Sequence, residues 1–247
     1  MNRILLVSLV LGCFSMSDVR AADDPKMIIE RAIEAHGGEA LLKRYPASVI
    51  KSTGKLQTDS GEFTFNASTR YQLPDRFFNR VEMTSKEFSF QIIQLINGDT
   101  IEMRLGDEKQ KLTPQQKTEL RQALFMQEVY QLFPLLTKKG LTLKLLPESP
   151  KVEDEETHTI QVAVEGGETF KMRFGKTSGL LVQVERQVLD VMNKPYTKLQ
   201  SFVGHKKFNG LVLPSKIRTT NDGKRFMDAE LDYQPSESLP ATDFKIQ

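Results

Sequence analysis

Cysteine is nearly absent from this chain of 247 residues, which contains one, Cys13. That cysteine lies in an N-terminal segment that we expect to be removed as a signal peptide, so the mature protein would contain none. Disulfides commonly reinforce small exported proteins. An exported chain without them must be stabilised by its hydrophobic core, and a chain of this length can bury one.

An excess of charge is also lacking, because 34 Lys and Arg stand against 32 Asp and Glu. Removal of the predicted signal peptide takes away Arg3, Arg20 and Asp18 and leaves 32 against 31. A nucleic-acid partner would require a basic excess, so we predict no nucleic-acid partner. The one acidic run, over residues 153–156, follows Pro150 and is typical of a solvated loop.

Catalytic and metal-binding motifs are missing as well. No serine nucleophile elbow or phosphate-binding glycine loop occurs, and Gly166-Gly167 joins two alternating runs as a hairpin turn. The three histidines have no metal-ligand spacing: His36 ends a predicted helix, His158 leads into a strand and His205 is predicted in a turn. We interpret them as structural or surface residues, and we predict a protein that is not an enzyme and holds no cofactor or metal.

The chain has no apolar run long enough to span a bilayer, which takes about 20 residues. The longest run, over residues 4–12, follows a basic start at Arg3 and precedes Val19-Arg20-Ala21, the pattern that signal peptidase recognises. We therefore expect a signal peptide over residues 1–21 and secretion into the periplasm.

The signal peptide leaves two further questions, the number of domains in the mature chain and the alternative form of its N-terminus. Residues 22–247 are predicted to form a single domain, since no repeat or low-complexity linker divides them. The alternative for the N-terminus is a membrane-anchored lipoprotein, because the residues ending at Cys13 loosely match the motif at which bacterial lipoproteins are cleaved and acylated.

Alternating apolar and polar residues are abundant from Ser48 onward and indicate strands with one apolar face. Helices are predicted over residues 25–44 and 113–136, each with a capping residue before a first-turn proline. The pattern predicts a mainly β (α+β) fold of about eleven antiparallel strands. We expect a curved, incompletely closed half-barrel whose open side is covered by the helices.

The second predicted helix is apolar around much of its circumference in ALFMQEVYQLFPLL, which is more than one packing stripe requires. We interpret it as a lid over the apolar face of the sheet, with Gln122 on its exposed side. The alternative is that these side chains form an ordinary core. The residues predicted to line a hydrophobic ligand-binding cavity are Phe65, Phe90, Ile92 and Met103 of the sheet and Phe125, Val129, Leu132 and Phe133 of the lid.

The predicted order along the chain is helix, strands, interposed helix, further strands and terminal segment. The first strands contain RYQLPDRFFNRVEM and QLINGDTIEM, and the terminal segment is ESLPATDFKI. In this order the chain resembles the outer-membrane lipoprotein carrier superfamily (LolA/LolB-like) over nearly all of residues 25–247. The resemblance implies a half-closed barrel that binds lipoprotein acyl chains and moves them between an inner-membrane exporter and an outer-membrane acceptor. One position departs from the carriers: an arginine that helps hold their lid closed precedes the strand-breaking proline, whereas Leu73 precedes Pro74 here.

The sequence therefore predicts non-catalytic binding of acyl chains or of a lipidated protein in a hydrophobic cavity. The use implied by the resemblance is lipoprotein sorting or transport to the outer membrane. The alternative is a sensor or regulatory module of similar fold in the cell envelope.

Overall fold

The computed structural model describes residues 24–58, 61–189 and 194–246. The predicted signal peptide, its cleavage site and Cys13 lie outside the described residues. Within them, every strand pair is antiparallel and all but one of the strands follow one continuous path of pairing. The strands are β1 (Ala47–Thr58), β2 (Gly61–Gln72), β3 (Arg76–Thr84), β4 (Ser89–Asn97), β5 (Thr100–Leu105), β6 (Glu108–Lys109), β7 (Leu141–Leu146), β8 (Lys151–Val152), β9 (Glu155–Val164), β10 (Thr169–Gly175), β11 (Leu181–Leu189), β12 (Pro195–Phe208), β13 (Leu211–Asn221) and β14 (Lys224–Ser236).

The order across the sheet is β6-β5-β4-β3-β2-β1-β14-β13-β12-β11-β10-β9-β7, with β8 paired to β9 outside this path. The two edge strands, β6 and β7, do not pair with each other, so the sheet is not closed into a barrel. The predicted antiparallel, incompletely closed sheet is confirmed. The described residues form fourteen strands rather than about eleven, partly because β6 and β8 are two residues long and too short to show a period of two.

The helices are α1 (Pro25–Ala35), α2 (Glu39–Arg44), α3 (Pro114–Val129), α4 (Pro134–Thr137) and a 3-10 helix (Ala241–Phe244). The first turn of α3 is fixed by a capping box, in which Thr113 Oγ1 accepts from the backbone N–H of Gln116 and the Gln116 side chain accepts from the N–H of Thr113. The outer bounds of the predicted helical regions are correct to within a residue, but the second region is two helices, because α3 ends at Val129 and α4 begins at Pro134. The 3-10 helix is an addition.

Helix α3 packs against both halves of the sheet. Leu120 and Leu124 join a buried cluster with residues of β1, β2, β3 and β4. One turn further on, Met126 and Val129 belong to the main core, which also contains α1 and the inner side chains of β9, β10 and β11. The helix therefore spans the open side of the curved sheet.

Gly54 of β1 lets the sheet pack closely at its centre. A Cβ atom there would clash with the carbonyl oxygen of Asp228 on β14 and would lie 2.9 Å from Cε1 of Phe65 on β2. The absence of a side chain therefore allows the Phe65 ring to lie over the strand, on the side of the sheet that faces the helices.

Candidate ligand cavity

A cavity of about 270 Å³ lies between the helix-facing side of the central strands and helices α2 and α3. The lining residues from the sheet are Ser48, Ile50, Ser52, Phe65, Thr69, Tyr71, Phe77, Leu181, Phe202, Leu211, Leu213, Pro214, Ile217, Met227, Ala229, Leu231, Tyr233 and Pro235. The lining residues from the helical segments are His36, Leu42, Tyr45, Ala123, Gln127, Tyr130 and Gln131.

The strand residues that line the cavity follow from the period of two and from the strand register. Every second residue of β14 from Met227 to Pro235 contributes. Directly opposite residues of neighbouring strands point to the same side of a sheet, and Ile50 of β1 lies opposite both Tyr233 of β14 and Thr69 of β2. These central strands therefore present one continuous, mostly apolar wall.

The polar end of the cavity is formed by four residues near the C-terminal end of α3, namely Tyr71, Tyr130, Gln131 and Tyr233. The Tyr71 hydroxyl interacts with Gln131 and Ser48, and Tyr233 lies close enough to Tyr71 and Tyr130 to be influenced by both hydroxyls. Burial raises the pKa of Tyr71 and of Tyr130 to about 12 and also raises that of Tyr233. All three phenols are therefore neutral hydrogen-bonding groups at physiological pH.

The opposite end of the cavity is apolar. Phe65, Met227, Ala229 and Leu231 belong to a cluster that continues along the sheet beyond the helices. This cluster reaches an aromatic group at the sheet rim, where Phe88 is 51% exposed and stacks on Phe90, with ring centroids 6.0 Å apart.

Among the described lining residues, none is Lys, Arg, Asp or Glu, and the single histidine is neutral. Burial, with a smaller effect of nearby His205, lowers the pKa of His36 to about 4. The His36 ring has a structural role: Nδ1 lies 2.6 Å from the carbonyl oxygen of Val212, and Nε2 accepts from the backbone N–H of Leu181 at 3.0 Å. The interpretation of His36 as structural is thus supported by its contacts.

The predicted wall residues of the sheet lie on one side of it. Phe90 is opposite Met83, which is opposite Phe65, and Phe90 and Ile92 pack in the same cluster as Phe65. The register from β5 to β1 places Met103 on this side as well. Phe65 lines the cavity, whereas the other three lie further along the sheet.

The predicted lid residues lie in the part of α3 and the following turn that packs on the main core. Val129 and Leu132 are fully buried there, with Phe125 and Phe133 packed against them. None of the four is among the residues lining the cavity, and Ala123, Gln127 and Tyr130 face it instead. Those three positions have helical spacing, so a second face of α3 carries the contact with the cavity.

Two expectations about individual residues are wrong. Gln122 is half-buried, not exposed, and its Oε1 accepts from Nη2 of Arg186 at 3.1 Å. His205 lies within β12, not in a turn. The strand continues through Gly204, which adopts φ +63 without a change of register against β13, and its carbonyl oxygen accepts from the hydroxyl of Ser215 at 2.6 Å.

No protein-family model matches the chain, and no curated protein sequence matches it. Solved structures do match. A LolA superfamily protein from Nitrosomonas europaea aligns over 91% of this chain and 99% of its own, with a TM-score of 0.55 and 14% identity. The fold is LolA-like. A domain described as an outer membrane lipoprotein-sorting protein, from Vibrio parahaemolyticus, gives a TM-score of 0.56 at 11% identity over 90% of this chain and 97% of its own.

A DUF1329 family protein from Desulfovibrio piger aligns equally well, with a TM-score of 0.56 at 9% identity over 91% of this chain and 98% of its own. At such identities the LolA-like likeness establishes the fold alone. In the part of the chain that the structure describes, no helix is both long and apolar enough to cross a membrane. The same residues contain no group of three or more His, Cys, Asp or Glu side chains placed to hold a metal ion.

Proposed function

We propose that this LolA-like protein binds the acyl chain of a lipid or of a lipidated protein in its cavity, without catalysing a reaction. The observation that carries the proposal is an uncharged cavity of about 270 Å³ with a continuous apolar wall, covered by one helix that spans the open side of the sheet. Pockets for small molecules typically have about 300–1,000 Å³, so this volume is slightly below that range.

Burial of an acyl chain in a cavity of this volume contributes favourable free energy to binding. If a methylene occupies about as much space as a water molecule in the liquid, about 30 Å³, the cavity holds about nine methylenes. Each methylene removed from water contributes about 0.8 kcal/mol, so the chain contributes about 7 kcal/mol before the entropic cost of association. This gain alone is smaller than the about 8 kcal/mol that micromolar binding requires, so tight binding also needs contacts of the chain outside the cavity, along the apolar rim of the sheet.

The cellular setting belongs to the proposal as well. The predicted signal peptide supports a periplasmic protein, and the LolA-like fold supports a role in handling lipids or lipoproteins in the envelope. Transfer of lipoproteins from an inner-membrane exporter to an outer-membrane acceptor is the specific use that the sequence resemblance implies, and it stays a prediction.

Titration of the delipidated protein with methyl parinarate, an uncharged acyl ester whose fluorescence rises in apolar surroundings, tests the proposal. We expect saturable binding of one ester per protein. The variant Leu231→Asp places a carboxylate against the cavity, and burial of an unpaired charge is costly, so binding should be lost.

The matched control is Gln234→Asp, which adds the same charge on the exposed side of the same strand and should bind like the wild type. Circular dichroism verifies that both variants retain the sheet. If the delipidated wild type binds no ester, the proposal is wrong. Val129 is a poorer site for the charge, because it lies in the main core and its replacement would perturb folding.

A further inference from the structure

The polar end of the cavity contains hydrogen-bonding groups that the protein itself leaves unsatisfied. Gln131 is 6% exposed, and its Oε1 has no hydrogen-bond partner among the described residues. The Tyr130 and Tyr233 hydroxyls also make no hydrogen bond within the described part of the chain, although only Gln131 Oε1 of the three is a fully buried atom without a partner. A buried acceptor of that kind is rare and costly in native proteins, so a polar group of the ligand is a natural partner for these three residues.

The chemistry of these groups limits what that ligand group can be. A carbonyl acceptor at Gln131 calls for a donor, and phenol hydroxyls at Tyr130 and Tyr233 can donate to an acceptor. A group that both donates and accepts, such as a hydroxyl or an amide, satisfies both kinds of partner. An ester satisfies only the phenols.

Charge limits the ligand further. No cationic side chain lines the cavity among the described residues, and the lining residue His36 is held neutral by burial. Arg186 lies close enough to Tyr130 to interact with its phenol, but its guanidinium forms an ion pair with Glu168 at 2.8 Å. An ionised carboxylate or phosphate at the polar end would therefore find no free counter-charge, which is strongly unfavourable.

The volume of the cavity and the direction of its apolar end also limit the ligand. A cavity of about 270 Å³ has room for about nine methylenes, which corresponds to part of one chain rather than to the several chains of a lipoprotein anchor. Its apolar end, at Phe65 and Met227, continues into the exposed aromatic rim of the sheet. The remainder of a longer chain can follow this apolar surface.

We propose that the ligand is an uncharged lipid with one acyl chain and a free hydroxyl or amide group, such as a monoacylglycerol. Its polar group lies against Tyr130, Gln131 and Tyr233, and its chain extends past Phe65 towards the aromatic rim. This inference rests on the proposed acyl-chain binding and narrows the ligand class, because a head group buried at this end cannot be attached to a protein.

Competition against bound methyl parinarate tests the inference with ligands that share a twelve-carbon chain. In the wild type, we expect monolauroylglycerol and lauroyl ethanolamide to displace the probe at about one tenth of the concentration that methyl laurate requires, a factor equivalent to about 1.4 kcal/mol. Dodecyl phosphate, which is ionised, should be the weakest competitor.

Substitutions at the polar end of the cavity show which side chains cause the preference for monolauroylglycerol over methyl laurate. Gln131→Leu should bring monolauroylglycerol and methyl laurate to within about twofold of each other, and Tyr233→Phe, which removes only a hydroxyl, should reduce the preference without perturbing the fold. Gln234→Leu, on the exposed side of β14, is the matched control and should keep the full preference.

The outcomes separate this inference from the proposed function. If methyl parinarate binds but monolauroylglycerol has no advantage over methyl laurate, the inference is wrong and acyl-chain binding stands. Stronger competition by dodecyl phosphate or by a triacylated lipopeptide would also overturn it, in favour of an anionic lipid or a lipoprotein. If the probe does not bind at all, both proposals fall.

Discussion

Ala123 offers a direct way to fill the cavity from the helix that covers it. Its side chain lines the cavity from α3 and is only half-buried, so Ala123→Phe would direct a phenyl ring into the space. At about 30 Å³ for each added carbon, the ring takes about 180 Å³, or two thirds of the about 270 Å³ that the cavity provides. Space remains for about three of the nine methylenes.

The loss of about six methylene contacts, at about 0.8 kcal/mol each, weakens acyl-chain binding by about 5 kcal/mol, which is more than a thousandfold. Methyl parinarate titration would show this as the disappearance of binding. The same substitution should leave the thermal midpoint unchanged or raise it, because it fills apolar space instead of creating a cavity. A matched control is Lys117→Phe, which adds the ring on the exposed part of the same helix. Unchanged affinity in Ala123→Phe, with the helix in place, would refute the assignment of the ligand to this cavity.

Three further outcomes are expected. Because burial lowers the pKa of His36 to about 4 from about 6.5 in the unfolded chain, its contribution to stability is complete above pH 6.5 and is lost as the pH falls towards 4, by up to about 3 kcal/mol. Urea unfolding of wild type and His36→Gln at pH 7 and 5 should show a smaller pH dependence in the variant, and equal dependence would contradict the argument. Gly54→Ala should lower the free energy of unfolding by about 2 kcal/mol or more, whereas Ser52→Ala on the same strand should have a small effect. The intact mass of the exported protein should correspond to an N-terminus at Ala22, and a lipid-modified N-terminus at Cys13 would contradict it.

The sequence specifies the sheet well because a period of two and hairpin turns are local signals. The predicted turn at Gly166-Gly167 joins β9 to β10, and Asp222-Gly223 joins β13 to β14, each in an antiparallel pair. What the local pattern does not reveal is a strand that continues through a glycine. β12 passes through Gly204 without a change of register, so the expectation of a turn at this glycine misplaces His205.

The side of the sheet that faces the helices was also predictable, whereas the outline of the cavity was not. Phe65 and Phe90 share that side because each strand alternates and the strands are in register. Which of them meets the cavity depends on where α3 crosses the sheet, and this crossing is set by contacts between residues far apart in sequence. The same contacts turn Val129 towards the main core and Ala123 towards the cavity.

The polar end of the cavity has a signal in the sequence, which consists of polar groups rather than apolar residues. Tyr71 and Tyr233 occupy apolar-face positions of their strands, where a hydroxyl has few partners. Gln131 follows the end of α3 directly and is buried. Polar groups at positions that the period assigns to a core are the pattern that would have indicated this end of the cavity.

The most direct test of acyl-chain binding in this cavity is native mass spectrometry of the protein purified from its own host without detergent. We predict a population one lipid heavier than the protein, which releases a single-chain uncharged lipid on activation and which is missing from Ala123→Phe. A spectrum that contains only unliganded wild-type protein, or a bound lipid that persists in Ala123→Phe, would contradict the account.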